Sequence, residues 1–321
     1  MRGSLMRRWA REDHITILSA NPSNTVAAEV YTKSGRGKVS REIARYWRKV
    51  FLDHDGKLAT ADRALSKTRE FLQPQPDDDV GNLNFIPEVA ECILVIPDIH
   101  APYQHKDTLP FLKAVKKAFP IDLAVSLGDE LDYHAMSFHD SDPNLESAGT
   151  ELELGKVMLR ELHKVFPELL VCHSNHGSMV FRRAKAHGLP IQLIKRYRDI
   201  VFPEHGAPSW SWAFSWRIQT PLGIVMFQHQ STNVLQDAAH NGCNLIVGHS
   251  HGNFGVQYSA SSAHLYYGGY AGCLIDKDSL AFAYGKNSSK KPIIGCMVIL
   301  NGRPMPIPMI LDTDGRWIGT L

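Results

Sequence analysis

An aspartate and a histidine stand two positions apart at Asp98 and His100, where an aliphatic run beginning at Ile93 (ILVIPDIH) stops. On an extended segment, residues i and i+2 point the same way, so a carboxylate oxygen and an imidazole nitrogen can share one metal ion. The same kind of ending recurs four times, in order. Asp129 follows Gly128 in IDLAVSLGDELD, with Asp132 three residues on; Asn175 and His176 close LLVCHSNHG; His229 closes IVMFQHQ; Gly248, His249 and His251 close LIVGHSH. Oxygen and imidazole donors without a thiolate suit manganese, iron, zinc or nickel better than calcium. The chemistry open to such a set is that of bound divalent cations, which polarise an oxygen ligand and bring the pKa of a bound water toward roughly 7.

Each of these endings needs a buried strand behind it, and the runs are apolar enough to supply one. Between them, residues 108–119 and 151–166 carry helical spacing, which gives βαβαβ and a largely parallel sheet in an α/β fold. In such sheets ligands gather beyond the carboxyl ends of the strands. Further helices are expected over 178–186, 191–200 and 233–240. Strands are expected over 212–219 and 223–229 around a turn at 220–222. Later apolar runs, 264–267, 293–300 and 306–311, suggest a second sheet.

The ordered set Asp98-Ile-His100, Gly128-Asp129-x-x-Asp132, Asn175-His176, His229 and Gly248-His249-Ser250-His251 resembles the calcineurin-like metallophosphoesterase family, over roughly residues 91–300. The resemblance implies two facing β-sheets flanked by helices, with two divalent metal ions at one edge. It assigns Asp98, His100 and His251 to the first metal, Asp129 to a bridge, and Asn175, His229 and His249 to the second. It implies attack by a metal-activated hydroxide with His176 as general acid, and manganese as the leading metal. Two positions depart from the family pattern: Ser174 stands where a glycine is usual, and Gly177 where an acidic residue usually helps to orient the histidine. Asp132 is then the candidate to orient His176. The style of DIHAPY and GDELDYH also resembles phosphoesterases encoded by bacteriophages, and the family includes a nuclease branch.

The chain of 321 residues, 44% hydrophobic, is ample for one large domain and a small accessory one. Residues 1–75 carry 15 Lys and Arg against 8 Asp and Glu (net +7), leaving 20 against 25 (net −5) for the rest. The basic front end holds two amphipathic segments, 24–34 and 40–51, with Ser40 as an N-cap and a glycine-containing break between them. They fit either a helix-turn-helix unit presenting Arg41, Arg45 and Arg48 to phosphates, or a helical pair that only packs. Residues 72–84, with two prolines, three aspartates and a glycine, resist helix and strand. The expected organisation is a helical domain over 1–72, a linker over 73–88 and the phosphoesterase domain over 89–321.

Arg182 and Arg183, soon after the Asn175-His176 pair, are candidate clamps for substrate phosphate. Trp210, Trp212 and Trp216, with Phe214, read as core rather than as a base-stacking platform, because 212, 214 and 216 alternate along one strand. His134, His139 and His205 read as surface-loop residues. Five cysteines without a close pair read as reduced core residues, and the start of the chain lacks the apolar stretch of an export signal, so a cytoplasmic location without a membrane partner is expected. The basic front end makes a phosphodiester in nucleic acid the expected substrate. The alternatives are a phosphomonoesterase or pyrophosphohydrolase acting on nucleotides or phosphoproteins, and a non-catalytic DNA-binding scaffold.

Overall fold

A computed structural model describes residues 9–52, 84–138, 142–203, 209–262, 264–285 and 289–321. The chain divides into two compact units, Met1–Gln73 and Pro74–Leu321.

In the first unit, helices α1 (Arg11–Ala20), α2 (Asn24–Lys33) and α3 (Arg41–Phe51) close on a small aromatic core of Trp9, Tyr31 and Trp47. His14 is buried among these rings, its Nδ1 lying 2.8 Å from the Tyr31 hydroxyl. Ser40 caps α3, its hydroxyl accepting from the Ile43 N–H. Two expectations are corrected here. The connection between α2 and α3 runs from residue 34 to residue 40, longer than the helix-turn-helix turn of about three or four residues. Arg48 does not join Arg41 and Arg45 on the exposed face. Its guanidinium donates to the Leu18 carbonyl (2.7 Å), the Asn21 carbonyl and the Asn24 side chain (2.8 Å), closing the end of α1.

The second unit is an α/β sandwich of two mixed sheets flanked by helices. One sheet has the order β12-β11-β2-β3-β4-β5, with β2 (Cys92–Ile96), β3 (Leu123–Ser126), β4 (Leu169–Cys172) and β5 (Trp210–Ala213) parallel. The hairpin of β11 (Gly295–Leu300) and β12 (Arg303–Pro308) extends it antiparallel. The other sheet runs β1-β6-β7-β8-β10-β9 and comprises β1 (Asn84–Ile86), β6 (Ser215–Thr220), β7 (Gly223–Gln228), β8 (Asn244–Val247), β9 (Phe254–Ala260) and β10 (Leu265–Ala271).

Strand β2 shows why the layers stack. Its residues are buried on both faces, and they alternate: Ile93 and Val95 meet Phe227 and Ile246 of the other sheet, while Leu94 and Ile96 share a core with Phe111 of α4 (Thr108–Ala118) and Leu159 of α5 (Ala148–Val165). Helix α8 (Val234–Asn241) covers the outer face of the second sheet through Val234 and Ala238.

Three readings change. Residues 84–86 fall in the expected linker yet form β1, parallel to β6. The strand expected over 212–219 is two strands in different sheets, broken at the exposed Phe214, so 212, 214 and 216 do not share one face. Trp210, Trp212 and Trp216 are nevertheless all buried. The hairpin over 295–308 joins the first sheet, not the second. Helices α6 (Met179–Ala186) and α7 (Tyr197–Val201) and a 3-10 turn over Ile191–Leu193 occupy the 178–201 region. All five cysteines are free and buried. Among the described residues, no helix is long and apolar enough to cross a membrane.

The C-terminal tail is tied to the start of α4. The buried Asp107 carboxylate accepts from Arg316 Nε (2.8 Å) and Nη2 (2.5 Å) and from the Trp317 N–H (3.0 Å). The Arg316 guanidinium holds this carboxyl well below the usual carboxylate range. A depressed folded-state pKa contributes stability above the unfolded value of about 4, and that stability is lost as pH falls through the folded value. Asp107→Asn is therefore expected to lower stability by about 1–2 kcal/mol at pH 7, a figure kept small because Arg316 is half-exposed. The gap between the urea midpoints of wild type and variant should begin to narrow as pH falls below about 4; an equal gap at pH 7 and pH 3 would argue against a charge-based tether.

Candidate metal centre

The residues singled out in the sequence meet at one edge of the sandwich. Asp98 and His100 follow β2, Asp129 follows β3, Asn175 and His176 follow β4, His229 directly follows β7, and His249 and His251 follow β8. All five strand ends are carboxyl ends, where parallel sheets collect ligands. The loops are cross-tied: the His100 N–H donates to the Asp129 carbonyl (2.8 Å) and the Gly248 N–H to the His229 carbonyl (2.9 Å). His100, Asp129 and His249 all adopt left-handed backbone conformations, φ 53°, 52° and 61°, which side chains rarely hold unless their surroundings fix them.

Two clusters result, Asp98 with His100 and His251, and Asp129 with His229 and His249, besides a third group in which His100 is shared with Asp132 and His176. In the first, His251 Nε2 lies 3.1 Å from Asp98 Oδ2 and 3.2 Å from His100 Nε2. In the second, His229 Nε2 lies 3.2 Å from His249 Nδ1 and 2.6 Å from Asn175 Oδ1. Asp129 stands between them, its Oδ2 3.4 Å from His100 Nε2 and 3.3 Å from His229 Nε2. Its other oxygen, Oδ1, accepts from the His176 N–H at 3.1 Å, which fixes the carboxylate's rotation.

The surroundings choose the tautomers. His229 Nδ1–H donates to the Leu127 carbonyl (2.9 Å), and His100 Nδ1–H donates to Asp132 Oδ1 (2.5 Å), so both rings turn Nε2 toward the centre. Partners of this kind orient metal-binding histidines.

The donor set fits divalent cations. Asp98, Asp129 and Asp132 are buried at 0%, 1% and 3% exposure, and among the described residues their charged partners are histidines, with no lysine or arginine. Among the described residues, Asp98 Oδ1 has no hydrogen-bond partner. Buried carboxylates so placed call for a positive charge. Imidazole nitrogens each about 2.1 Å from a shared cation lie about 3 Å apart, as these pairs do.

Electrostatics separate the roles. Burial opposes ionisation of Asp129, but His229 and His176 outweigh it and hold the carboxyl well below its usual range. Burial likewise lowers His229, and Asp129 and Asp98 more than reverse this, raising it to about 9. His100 is pushed down by burial despite Asp132. His176 also suffers burial, yet Asp129 and Asp132 raise it, favouring its protonated form.

Four expectations about individual residues change. Asp132 contacts His176 through its backbone carbonyl, which accepts from Nδ1, while its carboxylate serves His100; the two side chains are 3.8 Å apart. Arg182 and Arg183 are not in the wall of the cavity over the centre. Both stack on Phe138, and Arg183 donates to the carbonyls of Met136 and Ser137. His134 is buried, its Nε2 accepting from the Asp142 N–H. His139 and His205 lie outside the described residues.

Three structural residues were assigned no role from the sequence. Glu151, buried on α5, accepts from the N–H groups of His134 and Ala135 and so fixes the turn after Asp132. Glu130, beside Asp129, is pushed up to about 7 by burial. Ser174 accepts from the N–H groups of Asp129 (2.9 Å) and Gly177 (3.0 Å), so the first of the two departures noted in the sequence fixes the backbone of Asp129. The two departures are linked, because a Cβ at position 177 would stand 3.1 Å from Ser174 Oγ. Ser174→Ala strands two N–H groups and is expected to lower stability by about 1–3 kcal/mol and to weaken metal affinity about tenfold or more. Thermal melts and metal titration read the two effects; unchanged affinity would separate Ser174 from the centre.

No protein-family model matches this chain, and no curated protein sequence does. Among solved structures, the chain is similar to vacuolar protein sorting 29 from Cryptosporidium parvum, at 12% identity and a TM-score of 0.34, over 68% of this chain and 87% of that one. It is also similar to Vps29 from Chaetomium thermophilum, at 14% identity and a TM-score of 0.35, over 72% of this chain and 93% of that one.

Proposed function

We propose that this chain is a metal-dependent phosphoesterase that hydrolyses phosphodiester bonds in nucleic acid. The observation that carries the reading is Asp129 Oδ2, 3.4 Å from one histidine cluster and 3.3 Å from the other, where one carboxylate can serve two cations. Asp98, His100 and His251 would hold one ion, and Asn175, His229 and His249 the other. Manganese suits this oxygen and imidazole set, as do iron, zinc and nickel. Two such ions supply a nucleophile at neutral pH and offset charge on the phosphoryl oxygens.

The chain's own residues do the rest. His176 donates Nδ1–H to the Asp132 carbonyl, which leaves Nε2 to carry the proton handed to the leaving oxygen. Asp129 and Asp132 raise the pKa of this ring against the effect of burial. Asp132 and the Leu127 carbonyl hold His100 and His229 in their ligating tautomers. The substrate preference rests on the net +7 over residues 1–75 and on Arg41 and Arg45, both exposed on α3.

The test is release of p-nitrophenol from bis-p-nitrophenyl phosphate and from p-nitrophenyl phosphate, with manganese and with EDTA. Diester turnover that EDTA abolishes is expected. Preference for the monoester would redirect the reading to a phosphatase, and metal-independent or absent turnover of both esters would end it.

A further inference from the structure

The cavity over the metal centre holds about 880 Å³, the scale of a ligand of nucleotide size and far more than one phosphate group requires. Part of its wall is the cluster of histidines, Asp129 and Asn175. Another part comes from a stretch with no role in the reading above: Lys277, Asp278, Phe282, Lys290 and Lys291. Lys277 is neutralised locally, its Nζ 2.7 Å from the Asp278 carboxylate. Lys290 and Lys291 are the two other lysines of this wall.

These two lysines are placed by the fold. The Ile293 N–H donates to the His251 carbonyl (2.9 Å), and the Ile293 carbonyl accepts from the Cys273 N–H (3.1 Å), so the segment that bears them is pinned to the loop that bears the ligand histidine. The Lys290 stem lies across Gly252, directly after His251; a Cβ on that glycine would come within 2.8 Å of Lys290 Cγ. The Lys290 ammonium donates to the Asn253 side-chain oxygen. Phe282, in the same wall, meets the rings of His100 and His251 edge-on at 5.6 and 6.3 Å, so an apolar surface adjoins the cations.

We infer that Lys290 and Lys291 form a subsite for a second phosphate of the substrate, beside the one that is hydrolysed. The inference rests on the phosphodiesterase reading of the metal centre and narrows it. The preferred substrate carries a further phosphate about one nucleotide away, as in a single strand or a bisphosphorylated nucleotide. Arginines of α6 do not supply this contact, because they face Phe138 instead.

Two chromogenic diesters that differ only in the second phosphate provide the test: thymidine 5′-(p-nitrophenyl phosphate) and its 3′-phosphorylated form. With manganese, the wild type is expected to favour the 3′-phosphorylated diester by about tenfold or more in kcat/KM, and Lys290→Gln/Lys291→Gln to bring the ratio near one. Both lysines are exposed, so the substitutions leave the core intact. Equal use of the two diesters by the wild type overturns the subsite while the phosphodiesterase reading stands.

If neither diester is turned over, the activity reading fails, and the subsite is judged by calorimetric binding of thymidine 3′,5′-bisphosphate against thymidine 5′-phosphate. Tighter binding of the bisphosphate that the double variant abolishes supports it; equal binding overturns it. Stronger competition by oligothymidylate than by the bisphosphate supports the subsite with a strand as the source, and the reverse order supports it with a free nucleotide.

Discussion

Asp129→Asn is expected to reduce manganese-dependent diester hydrolysis by roughly a thousandfold or more. The substitution preserves shape but replaces the oxygen that faces both clusters with an amide, which has one acceptor oxygen and no charge. Rotated one way, the amide nitrogen would sit 3.4 Å from His100 Nε2 and 3.3 Å from His229 Nε2, presenting hydrogens where cations should bind. Rotated the other way, it would oppose the His176 N–H, now 3.1 Å from Oδ1. Metal stoichiometry, read by elemental analysis of dialysed protein, should fall from two to at most one per chain. Retention of two ions would remove Asp129 from the bridging role even if activity dropped.

Gly248→Ala should be almost as damaging, for a steric reason. A Cβ at that position would stand 2.3 Å from Asp98 Oδ1 and 3.3 Å from Leu127 Cβ. Asp98 is fully buried and has little room to retreat, with Oδ2 already committed to the His249 N–H at 2.6 Å. The added methyl must therefore turn the carboxylate out of its cluster or displace the loop carrying His249 and His251. A loss of roughly a hundredfold in activity is expected, with far-ultraviolet circular dichroism unchanged because β8 itself is untouched. Full activity would mean that this loop tolerates a shift the packing does not suggest.

Much of the centre was legible in the sequence because each ligand closes a buried aliphatic strand, and burial on both faces makes such runs easy to read. What lies between the strands was less legible. Arg48 looked like the third member of a basic stripe, since helical spacing reveals a face but not the carbonyls at the end of α1 that occupy it. Arg182 and Arg183 were close to Asn175 in sequence, but α6 turns them toward Phe138. Near the strand break at Phe214, period-two alternation continued through a point where the chain changes sheet. Lys290 and Lys291 gave no signal because a loop residue's distance from a site depends on backbone ties such as Ile293 to His251, which no local pattern encodes.

Each histidine cluster draws on both layers of the sandwich. Asp98 and His100 come from one sheet and His251 from the other; Asp129 comes from one sheet, and His229 and His249 from the other. Neither layer can assemble either of these two clusters alone. Sliding one layer over the other by a single residue, roughly 3.3 Å, would separate every pair of donors that spans the two layers. Tight binding of a cation by this chain would thus act as a vernier reading, reporting that two independently hydrogen-bonded layers have locked at one alignment out of the several their apolar faces could accept.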